Sequence, residues 1–271
     1  MTTLQIGPIQ IRLHSSLSLT SWLQPLRSYH GVWASVPTEL IWDFHVHISE
    51  SKPLEHTGNA FVFERHALYF QAVASTCTSH LYTRGEEADF LAGLELSLSL
   101  ACEALGGLSI HAAAGVVNGV GYLMPGISGT GKSTAARNGG FEQIIGDERV
   151  LLLPCDGQWT MISTPFWSAG RAQCPPRASH KLDVILRLDK SIFLELSALK
   201  IINSLEWLLR SVVYYGTDES KREHQLGRAI EVVKLTQHFR LGFTKRGPWA
   251  WTINQMHSSC LFIKYEQNIY P

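Results

Sequence analysis

The sequence predicts an α/β protein: a mixed, hairpin-containing sheet around a phosphate loop, preceded by a strand-rich N-terminal module. Three observations carry this. Residues 126–133 read Gly-Ile-Ser-Gly-Thr-Gly-Lys-Ser, the spacing G-x-x-x-x-G-K-S. That spacing lets a glycine-rich backbone curl its N–H groups around phosphate oxygens, with a lysine to neutralise their charge. Asn118-Gly119 stands between two apolar runs, at 113–117 and 120–124. Both residues of such a turn take φ > 0, so the strand entering the loop arrives from an antiparallel hairpin rather than a parallel crossover. The third is a change of hydrophobic period, from alternation in the first 84 residues to helical spacing at 86–105.

The elements follow in order. Leu4 to Leu13 alternates, and Trp42, Phe44, Val46 and Ile48 mark one strand face with Asp43, His45 and His47 on the other. His45 and His47 share a face at the spacing of a metal pair, but without a third ligand a solvated polar face is the expectation. Phe61 to Ala74 reads as two further strands. Phe90, Leu94, Leu98, Ala101 and Leu105 line one helix face, and Gly106-Gly107 stops it. This helix is expected to pack on the sheet that holds the loop and to mark a seam near residue 85. After the loop, Asn138-Gly139-Gly140 allows only a short helix. Phe141 to Ile145 and Arg149 to Leu153 read as strands around Gly146-Asp147-Glu148, and Asp156-Gly157 turns a second hairpin into Trp159 to Ser163. Leu182 to Leu188 alternates as a half-buried strand. Two helices follow, one capped by Ser197 and running to about Tyr214, one capped by Asp218 and running to about His238. Phe239 to Thr244 returns as a strand, Trp249 and Trp251 pack, and the residues after about Gln255 read as irregular. The expected organisation is thus 1–84, 85–255 and a tail at 256–271.

Composition narrows the function. Lys+Arg and Asp+Glu balance at 23 each, so no basic field marks a nucleic-acid partner. The five cysteines are scattered without C-x-x-C spacing, which reads as free thiols in a reducing cytoplasm. The first residues carry no basic and apolar signal pattern, and no run is long enough to span a membrane.

The candidate nucleotide-binding residues are Gly126, Ile127, Ser128, Gly129, Thr130, Gly131, Lys132, Ser133 and Thr134. Lys132 would neutralise the β- and γ-phosphates of ATP. The Ser133 hydroxyl, with Thr134 as a second, would be a ligand of Mg²⁺, which keeps most of its coordination for water and phosphate. Asp147 and Glu148 supply the carboxylates that phosphoryl transfer needs for metal binding and for taking a hydroxyl proton. Neighbours on an extended segment face opposite ways, so one of the two reaches the γ-phosphate, and the sequence leaves open which. Arg171 and Arg177, beyond the acidic strand, are candidates for stabilising transferred charge, and Lys181 is a weaker one.

Ile110-His111-Ala112-Ala113-Ala114, the Asn118-Gly119 turn, the loop at 126–133 and Gly146-Asp147-Glu148-Arg149-Val150 together resemble the C-terminal kinase domain of HPr kinase/phosphorylase. The resemblance covers about residues 108–155. It implies an HPr kinase-like core in which Glu148 is the catalytic acid/base, Asp147 serves metal or network, and His111, otherwise an ordinary core histidine, hydrogen-bonds the acidic pair. The chain departs from the family in having Asp147-Glu148 for two aspartates. It also lacks the long Arg-Gly-rich signature, for which Gly170-Arg171 is the nearest match, so HPr itself and the reverse phosphorolysis are not implied. It is also similar to the lasso-peptide precursor kinases, which phosphorylate a terminal Ser. The expected function is Mg-ATP-dependent transfer to a serine of a peptide or small protein. The alternatives are a partner-stimulated ATPase and a nucleotide sensor without turnover. Related kinases often form rings, so a homo-oligomer is an expectation by analogy.

Overall fold

The structure, a computed structural model, describes residues 2–15, 19–31, 36–49, 60–65, 68–167, 177–214, 219–243, 249–250 and 252–255. It is mixed α/β, with two mixed sheets and a few helices.

The first sheet has six strands in the order β1-β2-β3-β6-β5-β4. They are β1 (Thr2–Ile6), β2 (Ile9–Ser15), β3 (Leu40–Ile48), β4 (Phe61–Arg65), β5 (Leu68–Val73) and β6 (Thr78–Thr83). The alternation from Leu4 to Leu13 is therefore a hairpin: Gly7, at φ 57°, reverses the chain, and Thr2 pairs with Leu13. The side-chain alternation survives because the turn preserves the face, so Leu4, Ile6, Ile9, Ile11 and Leu13 are all buried. Short helix α1 (Thr20–Leu23) and a 3-10 turn over Gln24–Tyr29 connect β2 towards β3.

Helix α2 (Glu87–Ala104) is the middle layer. One flank packs on β3 and β6: Gly93 lies so close to Leu81 and Phe44 that a Cβ would sit 3.0 Å from each, and Ser97 shares a 2.7 Å hydrogen bond with Ser79. The opposite flank faces the second sheet, with Ser99 donating to Ser109 at 3.1 Å. This corrects the single apolar stripe expected from its spacing. Leu96 and Leu100 are buried along with Leu94 and Leu98, because both sides of the helix meet a sheet.

The second sheet has nine strands. They are β7 (Leu108–Val117), β8 (Val120–Pro125), β9 (Gln143–Gly146), β10 (Arg149–Cys155), β11 (Gln158–Ser163), β12 (Ser179–Lys181), β13 (Val184–Lys190), β14 (Glu195–Ala198) and β15 (Gln237–Phe243). The order is β12-β11-β10-β7-β8-β13-β15-β14, with β9 also on β7. The β7–β8 hairpin turns at Asn118 (φ 50°) and Gly119 (φ 72°), as the sequence predicts, and β13 and β15 then add in parallel to β8. Helix α3 (Lys132–Asn138) lies on one face with Trp249 and Ile253; α4 (Ile201–Leu209) and α5 (Glu219–Lys234) cover the other. Ser197 is not a helix cap: it lies in edge strand β14, paired with Arg240, and α4 begins after Lys200. Helix α5 stops at Lys234, short of His238, because residues from Gln237 onward enter β15. Asp218, Trp251, Cys174, Cys260 and the tail at 256–271 lie outside the described residues. Cys77, Cys102 and Cys155 are free thiols. No helix among the described residues is long and apolar enough to cross a membrane.

Candidate active site

Strand β7 organises the site. Its 108–111 half pairs with β10 and its 114–116 part with β9, on the same edge. Asp147 and Glu148 are the step between those two strands. A step in a ladder frees its residues from pairing, which lets the carboxylates leave the sheet at the level of His111. On the other edge, β8 delivers Gly126 beside His111, whose carbonyl accepts the Gly126 N–H at 3.2 Å. Three segments far apart in sequence thus meet at one end of the sheet.

Gly129 and Gly131 take φ of 84° and 98°, a region that side chains disfavour. Gly131 also has no room for one: a Cβ would lie 2.7 Å from the Phe243 ring. Thr130 Oγ1 and Lys132 Nζ both donate to the Ile127 carbonyl, at 2.9 and 3.0 Å. Lys132 is only 5 % exposed. Burial strips water from its ammonium and pushes its pKa below the ordinary lysine value, while Glu148 and then Asp147 pull it back up. Both carboxylates therefore act on the loop lysine.

The two differ in environment. Asp147 is 2 % exposed, whereas the Glu148 side chain is 39 % exposed. Glu148 Oε1 lies 3.0 Å from His111 Nε2. The hydrogen bond from His111 is the main reason that the Glu148 carboxyl ionises below the usual range; burial opposes the shift, and His111, Lys132 and Arg149 add to it. Glu148 thus stays ionised at neutral pH with an open side.

Four residues that the sequence reading did not single out hold this arrangement. Arg149, opposite His111 in the ladder, pairs with Glu95 on α2. Trp207 on α4 donates its indole N–H to the Pro125 carbonyl at 2.7 Å, one residue before the loop. The Ser211 carbonyl accepts the His111 N–H at 2.7 Å. Arg149 adjoins the acidic pair, and that adjacency was a usable signal; Glu95, Trp207 and Ser211 carry none, since each is identified only by its cross-chain partner.

Arg177, Lys181, His45 and His47 do not join the site. Arg171 falls within 168–176, outside the described residues. Arg177 donates to the carbonyls of His30 and Gly31, tying the second sheet to the N-terminal module. Lys181 pairs with Asp183 at 3.1 Å. His45 and His47 are not simply solvated: His14, His45 and His80 stand side by side on β2, β3 and β6, with ring centroids 4.4 and 4.7 Å apart and planes within 15°. Ring nitrogens point in the ring plane, so a parallel stack does not converge them. No group of three His, Cys, Asp or Glu side chains among the described residues could hold a metal.

No family model and no curated protein sequence matches the chain.

Proposed function

We infer that the protein is a Mg-ATP-dependent kinase that transfers the γ-phosphoryl group to a serine hydroxyl of a peptide or small protein. The observation that carries this reading is the meeting of a buried loop lysine with the His111–Glu148 pair at one end of the sheet. Phosphoryl transfer asks little covalent chemistry of a protein; it asks for positioned phosphates, neutralised charge and a proton acceptor. The loop amides and Lys132 hold the phosphates. Lys132 releases the Ile127 carbonyl to do so, a small rearrangement for a side chain already aimed across the loop.

Glu148 takes the proton of the attacking hydroxyl. It is ionised, reaches the open side and is held in place by His111, which fixes its orientation. Asp147, buried beside Lys132, and Ser133, in the first turn of α3, would hold Mg²⁺; a hard cation that keeps several waters needs only one or two such protein oxygens, so the set fits. Bound there, the ion would neutralise charge on the phosphate oxygens. The likeness to lasso-peptide precursor kinases makes a precursor peptide with a terminal Ser the first substrate to try.

The test is mass spectrometry of candidate peptides incubated with the chain and Mg-ATP. One added phosphate on a peptide serine is expected, absent with Lys132→Ala and reduced by roughly a hundredfold or more in rate with Glu148→Gln. ADP release without phosphopeptide would replace this reading with an ATPase. Tight ATP binding that is indifferent to Glu148→Gln, with neither product, would replace it with a sensor.

A further inference from the structure

Two consecutive large apolar residues, Ile192 and Phe193, stand in water on the β13–β14 turn, 82 % and 69 % exposed. Single exposed apolar residues need no explanation, but an adjacent pair at the mouth of a site is a different matter. Their position is fixed by two contacts. The Ser191 N–H donates to the Phe243 carbonyl at 3.0 Å, and the Phe243 ring is the group that abuts Gly131 of the loop. Ser191 Oγ then accepts the Phe193 N–H at 3.1 Å, which shapes the turn that projects the pair. Ile201 and Ile202 are also exposed, but they open α4 beyond β14, which runs antiparallel to β15 and so carries them to the opposite end of the sheet.

The direction of the nucleotide follows from the sheet. His111 and Glu148 flank the loop on the β7 side; β13 and β15 lie on its other side. If the reacting phosphoryl group lies at Glu148, the nucleoside must extend the other way. Successive strands are about 4.8 Å apart, so β7 to β15 spans about 14 Å, a distance an extended nucleoside triphosphate covers.

We propose that Ile192 and Phe193 form the nucleobase subsite, with the Phe193 ring stacked on the base and Ile192 closing its edge. The inference rests on the kinase reading and adds where the base sits. An aromatic face suits a base because every base presents a flat π-surface, and stacking both removes apolar surface from water and tolerates any base edge.

The experiment is calorimetric titration of the full chain with Mg-ATP and, separately, with inorganic tripolyphosphate, which has the phosphates and no base. The wild-type chain is expected to bind ATP more tightly than tripolyphosphate. Phe193→Ala should raise the ATP Kd about tenfold and leave the tripolyphosphate Kd unchanged; Phe193→Trp should retain ATP affinity. An ATP Kd within about twofold of wild type in Phe193→Ala, or equal weakening of both ligands, overturns the subsite and leaves the kinase reading standing. A wild-type chain that binds neither ligand overturns both. Phe193 is a surface residue, so the variant is expected to fold.

Discussion

At the scale of single residues, the pairing of His111 with Glu148 decides how the site titrates. An ordinary glutamate ionises near pH 4.3, and the His111 hydrogen bond holds Glu148 below that. On the proposed kinase reading Glu148 is the base and must be ionised to work, so the acid limb of kcat/KM should lie below the usual carboxylate range. His111→Ala removes the largest cause of the shift, and the acid limb should then move to higher pH, with a slower rate throughout because the carboxylate is no longer oriented. An unmoved limb with the pair broken would show that another group titrates in the reaction. The same sign governs stability. A depressed carboxylate stabilises the fold above its unfolded pKa, and this contribution is lost as pH falls through the folded value. His111→Ala should therefore flatten that part of the acid-unfolding curve.

At the scale of elements, α4 and the residues after it act as a strap. Trp207 holds the residue before the loop, and Ser211 holds the backbone of His111, so one segment fixes both halves of the site. The Arg187 guanidinium covers the Trp207 ring, 5.0 Å from its centroid, and keeps the indole in place. Trp207→Phe keeps an aromatic side chain but removes the indole N–H together with the five-membered part of the ring. A neutral hydrogen bond is worth about 1 kcal/mol and the lost packing adds to it, so urea unfolding should show a loss of at least about 1 kcal/mol. ATP affinity should fall with it, because the loop loses an anchor. If stability falls and ATP affinity does not, the contact supports the fold alone. The glycine-rich loop combines both kinds of control: the φ of 98° at Gly131 is a local demand that glycine meets, and Phe243, from distant β15, takes the space a side chain would need.

At the scale of the whole molecule, two sheets share one helix, and the outer face of the first sheet carries the histidines. His14, His45 and His80 form a row across three strands, with Gln71 next to His80 on β5; His47 stacks on Tyr82, and Asp43 lies 2.6 Å from His14. Burial, and then the charges of neighbouring histidines, lower the pKa of His80 to about 4, and burial is the main cause at His45 and His47 also. A base with a depressed folded pKa is neutral when native, while the unfolded chain takes up a proton below about pH 6.5. Stability should hold above that pH, fall from there towards about 4, and level below the folded pKa. The Tm should drop measurably between neutral pH and pH 5, and His80→Gln should shrink the drop. A Tm that does not change over that interval would show that His45, His47 and His80 are not held neutral in the folded state.

What the sequence determined by itself is local. Glycines at 129 and 131, the Asn118-Gly119 turn and the period-two strands report their own backbone states, because φ > 0 and side-chain alternation are properties of neighbouring residues. The acidic step at 147–148 was legible for the same reason, as a break between two strands. Misreadings came where the answer belongs to distant chain. The spacing of α2 marks one apolar face, yet the helix has two, because a second sheet covers the side that a lone helix would leave to water. Ser197 has the chemistry of a cap but was drawn into β14 by an edge of β15 with hydrogen-bonding groups to satisfy. Only the tertiary structure decided that Glu148 and not Asp147 is the open carboxylate, that Arg177 serves the N-terminal module, and that a tryptophan about eighty residues downstream steadies the loop. Each of these depends on which strand lies beside which, and that order is set by burial of the whole chain.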